Sequence, residues 1–570
     1  DNESGIHGVI IPKFTARNGS HKFRFAIDFG TTNTHIEYSV DGSTSSNPFD
    51  ITEKDMQIQK LHITDDYMIN DVFNSDFIPA TIGGESLYGY PMRTVISESN
   101  NTNWDKAVLA MANVNIPYTY EKSLSLPYNV LHTDLKWSTN TEDKKRASKY
   151  IESILLMLRT KVLLNNGDLS KTEIVWFYPA SMTQNRFNKF KAEWENTFAT
   201  LFGAPISNII AASESVAPYY YHKAKKGATS TVVSVDIGGG TTDVLIVDKG
   251  EPKYLTSFRF AANTIFGDGY SYDSDSNGFV NKYKDIITNQ LETNNLRGLK
   301  AVLKSVLDKR VSTDVIAFLF SLASNKEIKK EKVEINFAKM LADDNRGKYV
   351  VILFYVAIVY HIAKLMKAKG FDMPRHMTFS GNGSKVLNIL STNDATLVRL
   401  TKIIFEEIYA QSYSIDGLDI IRPANSKEST CKGGIILTPF QSQDYGEIKD
   451  MKTILIGTDN EKFADVHMTY NDVTEADLDS VVDVIKEYIE FTFKLDKKFS
   501  FYDNFDVDRS IMNKVKDLCY RDIRTYLENG LAIKKSEIAQ DGADDNLEET
   551  LFFYPLVGII NAVVRNIYQM

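Results

Sequence analysis

Val232-Val233-Ser234-Val235-Asp236-Ile237-Gly238-Gly239-Gly240-Thr241-Thr242-Asp243-Val244-Leu245-Ile246-Val247 is the stretch on which the reading of this chain turns. Two short apolar runs rich in β-branched residues flank a bend of one acid, three glycines and two threonines. That is the pattern of a buried hairpin wrapped around something small. Glycine carries no Cβ and tolerates φ > 0, so Gly238, Gly239 and Gly240 let backbone N–H groups converge on an anion. Thr241 and Thr242 add hydroxyl donors, and Asp236 at the strand end offers a carboxylate suited to a hydrated metal. A phosphate accompanied by Mg²⁺ satisfies both. A glycine-rich bend that merely turns the chain is the alternative this segment leaves open by itself.

The same design occurs upstream. Phe23, Phe25 and Ile27 alternate with Arg24, Ala26 and Asp28, then Gly30-Thr31-Thr32-Asn33 turns the chain, and Ile36, Tyr38 and Val40 resume the alternation. Asp28-Phe29-Gly30-Thr31-Thr32 thus repeats Asp236-Ile237-Gly238…Thr241-Thr242 with two glycines fewer. A repeat at a separation of about two hundred residues predicts two halves on one plan, each presenting a hairpin to a shared cleft. Further on, His376-Met377-Thr378-Phe379 reads as a strand entering Ser380-Gly381-Asn382-Gly383-Ser384 and a helix led by Val386, Ile389 and Leu390. Strand, small-residue turn and helix N-terminus form an arrangement used for nucleotides and phosphates, although many α/β crossovers share it.

The chain, 570 residues long, exceeds what one core can organise, and length alone predicts roughly two to four domains. A hydrophobic share of 43% with 24% charged residues places it among soluble globular proteins rather than disordered ones. Its net charge of −9 argues against nonspecific binding to nucleic acid or to an anionic membrane. Cys431 and Cys519 are the only cysteines, too few for a disulfide framework or a thiolate cluster, so a reducing cytoplasm is the expected compartment. The chain starts at Asp1 with neither an initiator Met nor an apolar signal stretch, which reads as a trimmed piece of a longer product. The longest apolar run, Tyr349 to Tyr360, stops at His361 and Lys364, short of the ~18 to 20 residues of a membrane span, and is expected to be a buried helix.

Around the hairpins the pattern gives a domain plan. Residues 1–22 read as a leader, 23–230 as a first lobe with an inserted subdomain near 41–140, and 231–440 as a second lobe with an inserted helical subdomain near 270–345. Residues 441–570 read as a helical C-terminal extension for packing or partner contact. Phe77-Ile78-Pro79-Ala80 and Tyr90-Pro91-Met92-Arg93-Thr94 look like strand ends. Ile151, Leu155, Leu158 and Val162 predict a helix ended by Asn165-Asn166-Gly167, and Ile174-Val175-Trp176-Phe177 a strand closed by Pro179. Thr183 is a candidate N-cap for a helix whose Phe187, Phe190, Trp194 and Phe198 share one core-facing side. Ala211 to Pro218 is expected to begin a helix, with Glu214 either a solvated first-turn acid or a side chain aimed into the cleft. Near the C-terminus, Val481, Val482, Ile485, Tyr488 and Ile489 form one stripe, and Ile511, Val515, Leu518 and Ile523 another that Gly530 closes. Lys534 to Glu549 reads as a polar, mobile connection.

Three glycine turns in the order hairpin, hairpin, strand-to-helix, with Pro179 and Glu214 between the first two, resemble the actin, sugar kinase and heat-shock 70-kDa chaperone ATPase superfamily, nearest to the chaperone branch. The resemblance runs over roughly Phe23 to Pro439, and neither a Walker A lysine motif nor a dinucleotide glycine fingerprint competes with it. It implies an α/β fold, a two-lobed actin-like ATPase of duplicated ribonuclease-H-like domains with inserted subdomains, here followed by a helical C-terminal extension. It implies that Gly30, Thr31, Thr32 and Asn33 sit near the β- and γ-phosphates of ATP, and that Gly238, Gly239, Gly240, Thr241 and Thr242 form the second phosphate loop. Asp28 and Asp236 are implied to ligate Mg²⁺ through water, and Ile174 to Ser181 to be the first connecting motif. Glu214 takes the place of the acid coupling the metal site to the hinge, Gly381, Asn382, Gly383 and Ser384 match the adenosine motif, and Lys136 that of the lysine offered to the γ-phosphate. Where the chaperones set an arginine against adenine, this chain has Ser384 or Lys385, and their β-rich substrate-binding domain is not recognisable after residue 440.

Phosphoryl transfer asks a protein mainly for positioning and charge stabilisation. The expected activity is therefore slow, Mg²⁺-dependent ATP hydrolysis in which Asp236, or Glu214 through water, orients the nucleophilic water, Lys136 is the cationic partner, and loss of the γ-phosphate loosens the clamp. A protein partner is expected at the inserted subdomains or the C-terminal helices, with no nucleic acid and no membrane span. Two alternatives stay open: an actin-like filament subunit or scaffold with little turnover, and a small-molecule kinase.

Overall fold

Phe23–Phe29 (β1) and Asn33–Val40 (β2) pair as antiparallel strands about the first glycine turn, with Asp28 opposite His35 and Phe29 opposite Thr34. This computed structural model describes residues 19–57, 81–86, 88–99, 114–115, 129–133, 135–136, 141–180, 182, 184–226, 231–270, 277–414, 417–423, 426–437, 469–541, 547 and 549–570. The leader through residue 18, the Phe77–Ala80 strand end and the Thr183 cap lie outside the described residues.

The first sheet is completed by Asn47–Pro48 (β3) and Met92–Arg93 (β4), which pair antiparallel with β2. Ile96–Ser99 (β5), Val114–Asn115 (β6) and Asn129–His132 (β7) form a separate antiparallel sheet inside the first insertion. Glu173–Tyr178 (β8) then lies parallel to β1, and Ile209–Ser213 (β9) parallel to β8. The order is β3-β2-β1-β8-β9.

The second sheet repeats this plan. Val232–Ile237 (β10), Thr242–Asp248 (β11) and Glu251–Phe258 (β12) are antiparallel, while His376–Ser380 (β13) and Asp419–Ile421 (β14) run parallel to β10 and to each other, in the order β12-β11-β10-β13-β14. Every residue of β10 is buried, which is why its apolar run does not alternate. The sequence repeat is thus a repeat of architecture, two α/β halves of identical strand order and sense, the two-lobed actin-like plan of duplicated ribonuclease-H-like sheets.

The halves are joined by two helices that cross between them. Val216–Lys226 and Ser426–Ile436 pack on one another, and the second also lies across β1 and β2 of the first sheet. Their approach needs glycine: a Cβ at Gly433 would fall on the Ala217 carbonyl, and one at Gly434 would come 2.5 Å from the Phe177 ring. A small apolar core of Ala26, Val175, Phe177, Ala217, Leu245 and Cys431 seals the crossing from both sheets.

Several local expectations change. Ala211–Ser213 ends strand β9 rather than starting a helix; β-branched Ile209 and Ile210 draw it into the parallel sheet, and the helix begins at Val216. Helix Ile523–Asp541 is separate from Met512–Cys519, and Gly530 lies inside it, where a Cβ would press on Tyr270 Oη and the Tyr554 side chain. Lys534 and Glu549 are buried and face each other at 3.4 Å, so those ends of the expected mobile connection are core. Helix Lys348–Ala368 spans 21 residues and is long and apolar enough to cross a membrane by composition, but its sides pack into protein. One of its side chains, His361, stacks on Phe552 at 5.4 Å, and burial pushes its pKa down to about 3, which keeps the ring neutral in the apolar core. One continuous core joins the second sheet, the inserted helices and the helices of 469–570, with Phe553 at 4.0 Å from Phe258 and 4.7 Å from Phe260.

Candidate functional site

The two glycine turns meet. A Cβ placed at Gly239 would fall on Thr32 Oγ1, so hairpins from different sheets stand in van der Waals contact across the cleft, and only glycine fits at 239 while threonine occupies 32. Each turn is held from behind by its carbonyls. Gly238 O accepts from Ala262 N at 3.2 Å and Gly239 O from Asn263 N at 2.8 Å, while Gly238 N closes the turn on Thr241 O at 2.8 Å. In the first turn Gly30 O accepts from Thr94 Oγ1 at 2.7 Å, and Thr32 O from Thr94 N at 2.9 Å and Arg93 Nη1 at 3.3 Å. A trans peptide points its N–H opposite to its C=O. The amides of Gly239, Gly240, Thr31 and Asn33 are therefore turned away from these supports.

Beside the second turn sits a group of acids. Asp236 is nearly buried, and its Oδ2 accepts from Ser380 Oγ at 3.3 Å and from Thr430 Oγ1, on the returning helix, at 3.1 Å. Asp243 lies opposite Asp236 in the β10–β11 register and accepts from Ala180 N of the first lobe at 3.0 Å. Burial raises the Asp243 carboxyl well above its usual range, and the charges of Glu214 and Asp236 push the same way. Glu214 is in the turn after β9, its N–H bonded to Tyr178 O at 3.0 Å, and its carboxylate pairs with the ammonium of Lys136. Lys136 is 2% exposed, a buried partner rather than a surface lysine. Asp28 is likewise buried at the end of β1.

A third loop closes on the second hairpin. Gly381 has φ +78°, and a Cβ there would fall on Asp236 Oδ1 and Ile237 O; one at Gly383 would fall on Gly238 O. Ser384 Oγ donates to Gly381 O at 2.7 Å, so it braces the loop, while Lys385 is exposed and Asn382 half-buried. The expected helix after this loop is a 3-10 turn, Asn382–Val386, followed by one helical turn, Leu387–Leu390, because Ser391 and Asn393 open the next helix instead.

On the other side of the hairpins a cavity of about 360 Å³ begins at Thr31, Thr32 and Gly240. Arg93, Arg259, Asn263, Asp268, Ile533 and Glu537 are among its walls. Arg93 crosses the cleft to pair with Asp314 on the inserted helix Ser312–Ser321, and Thr133 Oγ1 donates to the same carboxylate at 3.4 Å.

The structure thus brings together Thr31, Thr32, Gly239 and Gly240; Asp236 with Gly381 and Gly383; and Lys136 with Glu214. Sequence reasoning missed Asp243, hidden within a strand pattern though it repeats the acid of Asp236 across the turn. It also missed Thr430, Arg93 and Asn263, whose approach is purely tertiary.

No family model matches the chain, and no curated protein matches it. Among solved structures it is similar to MreB5 of Spiroplasma citri bound to ADP, at 12% identity over 75% of this chain and 99% of that one, with a TM-score of 0.32. The AMPPNP-bound form of that protein gives 12% identity, 75% and 98% coverage and the same TM-score of 0.32. The ethanolamine utilization protein EutJ from Carboxydothermus hydrogenoformans gives 9% identity, 74% and 92% coverage and a TM-score of 0.28. At such scores the class rests on the strand order and the paired hairpins. They define a two-lobed, actin-like fold with a glycine- and threonine-lined cleft between the lobes.

Proposed function

We propose that this chain binds ATP with Mg²⁺ in the cleft and hydrolyses it slowly, as a nucleotide-driven switch on a protein partner. The contact of Thr32 with Gly239 carries the reading: two donor-rich turns from separate lobes converge on one point, a geometry that suits a polyphosphate gripped from both sides. The residues fit such a ligand. Close approach without Cβ atoms, hydroxyls at Thr31, Thr32 and Thr241, and amides turned away from their supports form a donor set for phosphate, while the Thr242 hydroxyl is engaged by Phe260 O. Among the described residues there is no group of three His, Cys, Asp or Glu side chains able to ligate a metal directly. Asp28 and Asp236 are the carboxylates that would hold a Mg²⁺ ion through its waters, and the ion would offset phosphate charge.

Within that site Asp236, fixed by Ser380 and Thr430, orients the attacking water with Glu214, whose carboxylate Lys136 holds in place. Asp243, its carboxyl raised by burial and by the neighbouring acids, adds less negative charge to a crowded acid group than an ordinary carboxylate does. Gly381 to Ser384, seated against Asp236 and Gly238, faces the nucleoside. Because the hairpins belong to different halves joined by crossing helices, loss of the terminal phosphate removes what both grip and frees the halves to rotate. The inserted subdomains and the C-terminal helices are the surfaces offered to a partner, and two buried cysteines held as thiols suit a reducing cytoplasm.

The test is steady phosphate release by the purified protein with Mg-ATP, abolished by chelation and by Asp236→Asn. Failure of ATP and ADP to bind in calorimetry sinks the reading. Binding without release, together with nucleotide-dependent sedimentation, replaces it with a filament or scaffold, and strict dependence of ADP formation on an added metabolite replaces it with a kinase.

A further inference from the structure

Segment Arg259–Asn263 touches the second hairpin on one side and the C-terminal helices on the other. Toward the hairpin, Phe260 O accepts from Thr242 Oγ1 at 2.6 Å, and Ala262 N and Asn263 N hold the carbonyls of Gly238 and Gly239. Toward the C-terminus, Arg259 Nη1 bonds Glu537 Oε2 at 2.6 Å and Arg259 N bonds Glu549 Oε2 at 3.0 Å. Phe258 and Phe260 flank Arg259; Phe258 stacks on Phe553, and Phe260 meets the same ring at a tilt. Arg259 and Glu537 also line the cavity that starts at Thr31, Thr32 and Gly240, together with Ile533 from the helix of Glu537 and Val557 from the last helix, Phe553–Asn566.

We propose that the C-terminal helices are a wall of the phosphate site, and that Arg259, gripped by Glu537 and Glu549, is the positioning residue through which they set the second hairpin. This rests on the Mg-ATP reading for its ligand, the polyphosphate end of a nucleotide. The contacts themselves explain the direction of the effect. The hairpin's glycines supply no side chains to hold their own shape, so their geometry is borrowed from the segment that binds their carbonyls. That segment is anchored by charges: Glu549 is fully buried, and although burial alone would raise its carboxyl, the charges of Lys534 and Arg259 outweigh it and hold it below the usual range. The Glu537 contact lies at the cavity wall with its carboxylate side chain 26% exposed, so it can be altered without opening the core. Coupling of this kind is reciprocal: what loosens the anchor weakens the ligand, and the ligand tightens the anchor.

Two variants of the full chain, Glu537→Gln and Arg259→Lys, decide it, with hydrogen exchange of peptides covering Asp236–Thr242 in nucleotide-free protein read beside ATP kinetics. Glu537→Gln is expected to speed hairpin exchange by about fivefold or more and to raise the KM for ATP by a similar factor, with kcat within about twofold of wild type. Arg259→Lys, which keeps the charge but loses the guanidinium fork, is expected to shift both in the same direction by a smaller factor. Hairpin exchange and KM both within twofold of wild type in Glu537→Gln overturn the inference. If the wild-type chain binds no nucleotide, the Mg-ATP reading falls and exchange alone decides: faster hairpin exchange in Glu537→Gln supports the positioning link, and unchanged exchange overturns it as well.

Discussion

In the first hairpin a single glycine, Gly30, precedes Thr31 and Thr32, whereas the second carries Gly238, Gly239 and Gly240 before Thr241 and Thr242. The difference follows from what each turn must admit. The second is approached by Thr32 at Gly239, by the Gly381–Gly383 loop at Gly238 and Asp236, and by Asn263 behind it. The first takes its support from one short segment, through Thr94 and Arg93. Glycine count therefore records crowding: the threonine of one hairpin is the reason for the glycine of the other. The acids differ in the same sense, since Asp28 stands opposite His35 while Asp236 stands opposite a second acid, Asp243.

The asymmetry can be broken at graded cost. Asp236→Asn is expected to lower phosphate release by about a hundredfold or more, against about tenfold for Asp28→Asn, measured as kcat at saturating Mg-ATP. Equal losses would show that the two hairpins share the chemistry evenly. Gly239→Ala places a methyl on Thr32 and is expected to cost about 1–3 kcal/mol of nucleotide binding. Thr32→Gly in the same chain should restore part of it, a positive coupling read from a double-mutant cycle; strict additivity would mean the turns do not touch in solution. Gly433→Ala drives the crossing helices apart at the Ala217 carbonyl, and the expected cost, about 1–3 kcal/mol, falls on thermal stability rather than on the hairpins.

The smallest effect concerns pH. Asp243 has a folded pKa above its unfolded value of about 3.9, so the stability it contributes is complete below that value and fades as pH rises through the folded pKa. Asp243→Asn imitates the protonated side chain. Its melting temperature relative to wild type is expected to climb from about pH 4 toward alkaline pH; a difference that stays flat would show that Asp243 is ionised in the folded chain.

The paired hairpins were legible because each compresses a strand, an acid, a glycine bend and hydroxyls into a few consecutive residues, and the second copy made chance an unsatisfactory account. Pro179, Gly381 and the buried helix at 348–368 were legible for the same local reason. What escaped were contacts between distant parts of the chain. Thr430 looks like any helical threonine until the helix folds back onto Asp236, and Arg93 looks like the end of a strand until Asp314 arrives from the second lobe. Periodicity showed that the C-terminal helices have apolar faces but not that Phe553 faces Phe258. Gly530 read as a stop because a glycine near the end of an apolar stripe commonly is one; Tyr270 and Tyr554 pressing on it explain its place inside a helix.

The contact between Thr32 and Gly239 also has a kinetic meaning. A ligand that must lie between two touching turns enters only while they stand apart, so the open fraction of the population scales both the association rate and the apparent affinity. Whatever alters the contact of Thr32 with Gly239 then tunes how fast the cleft can be filled, and a tight complex formed this way is slow to start and slow to end.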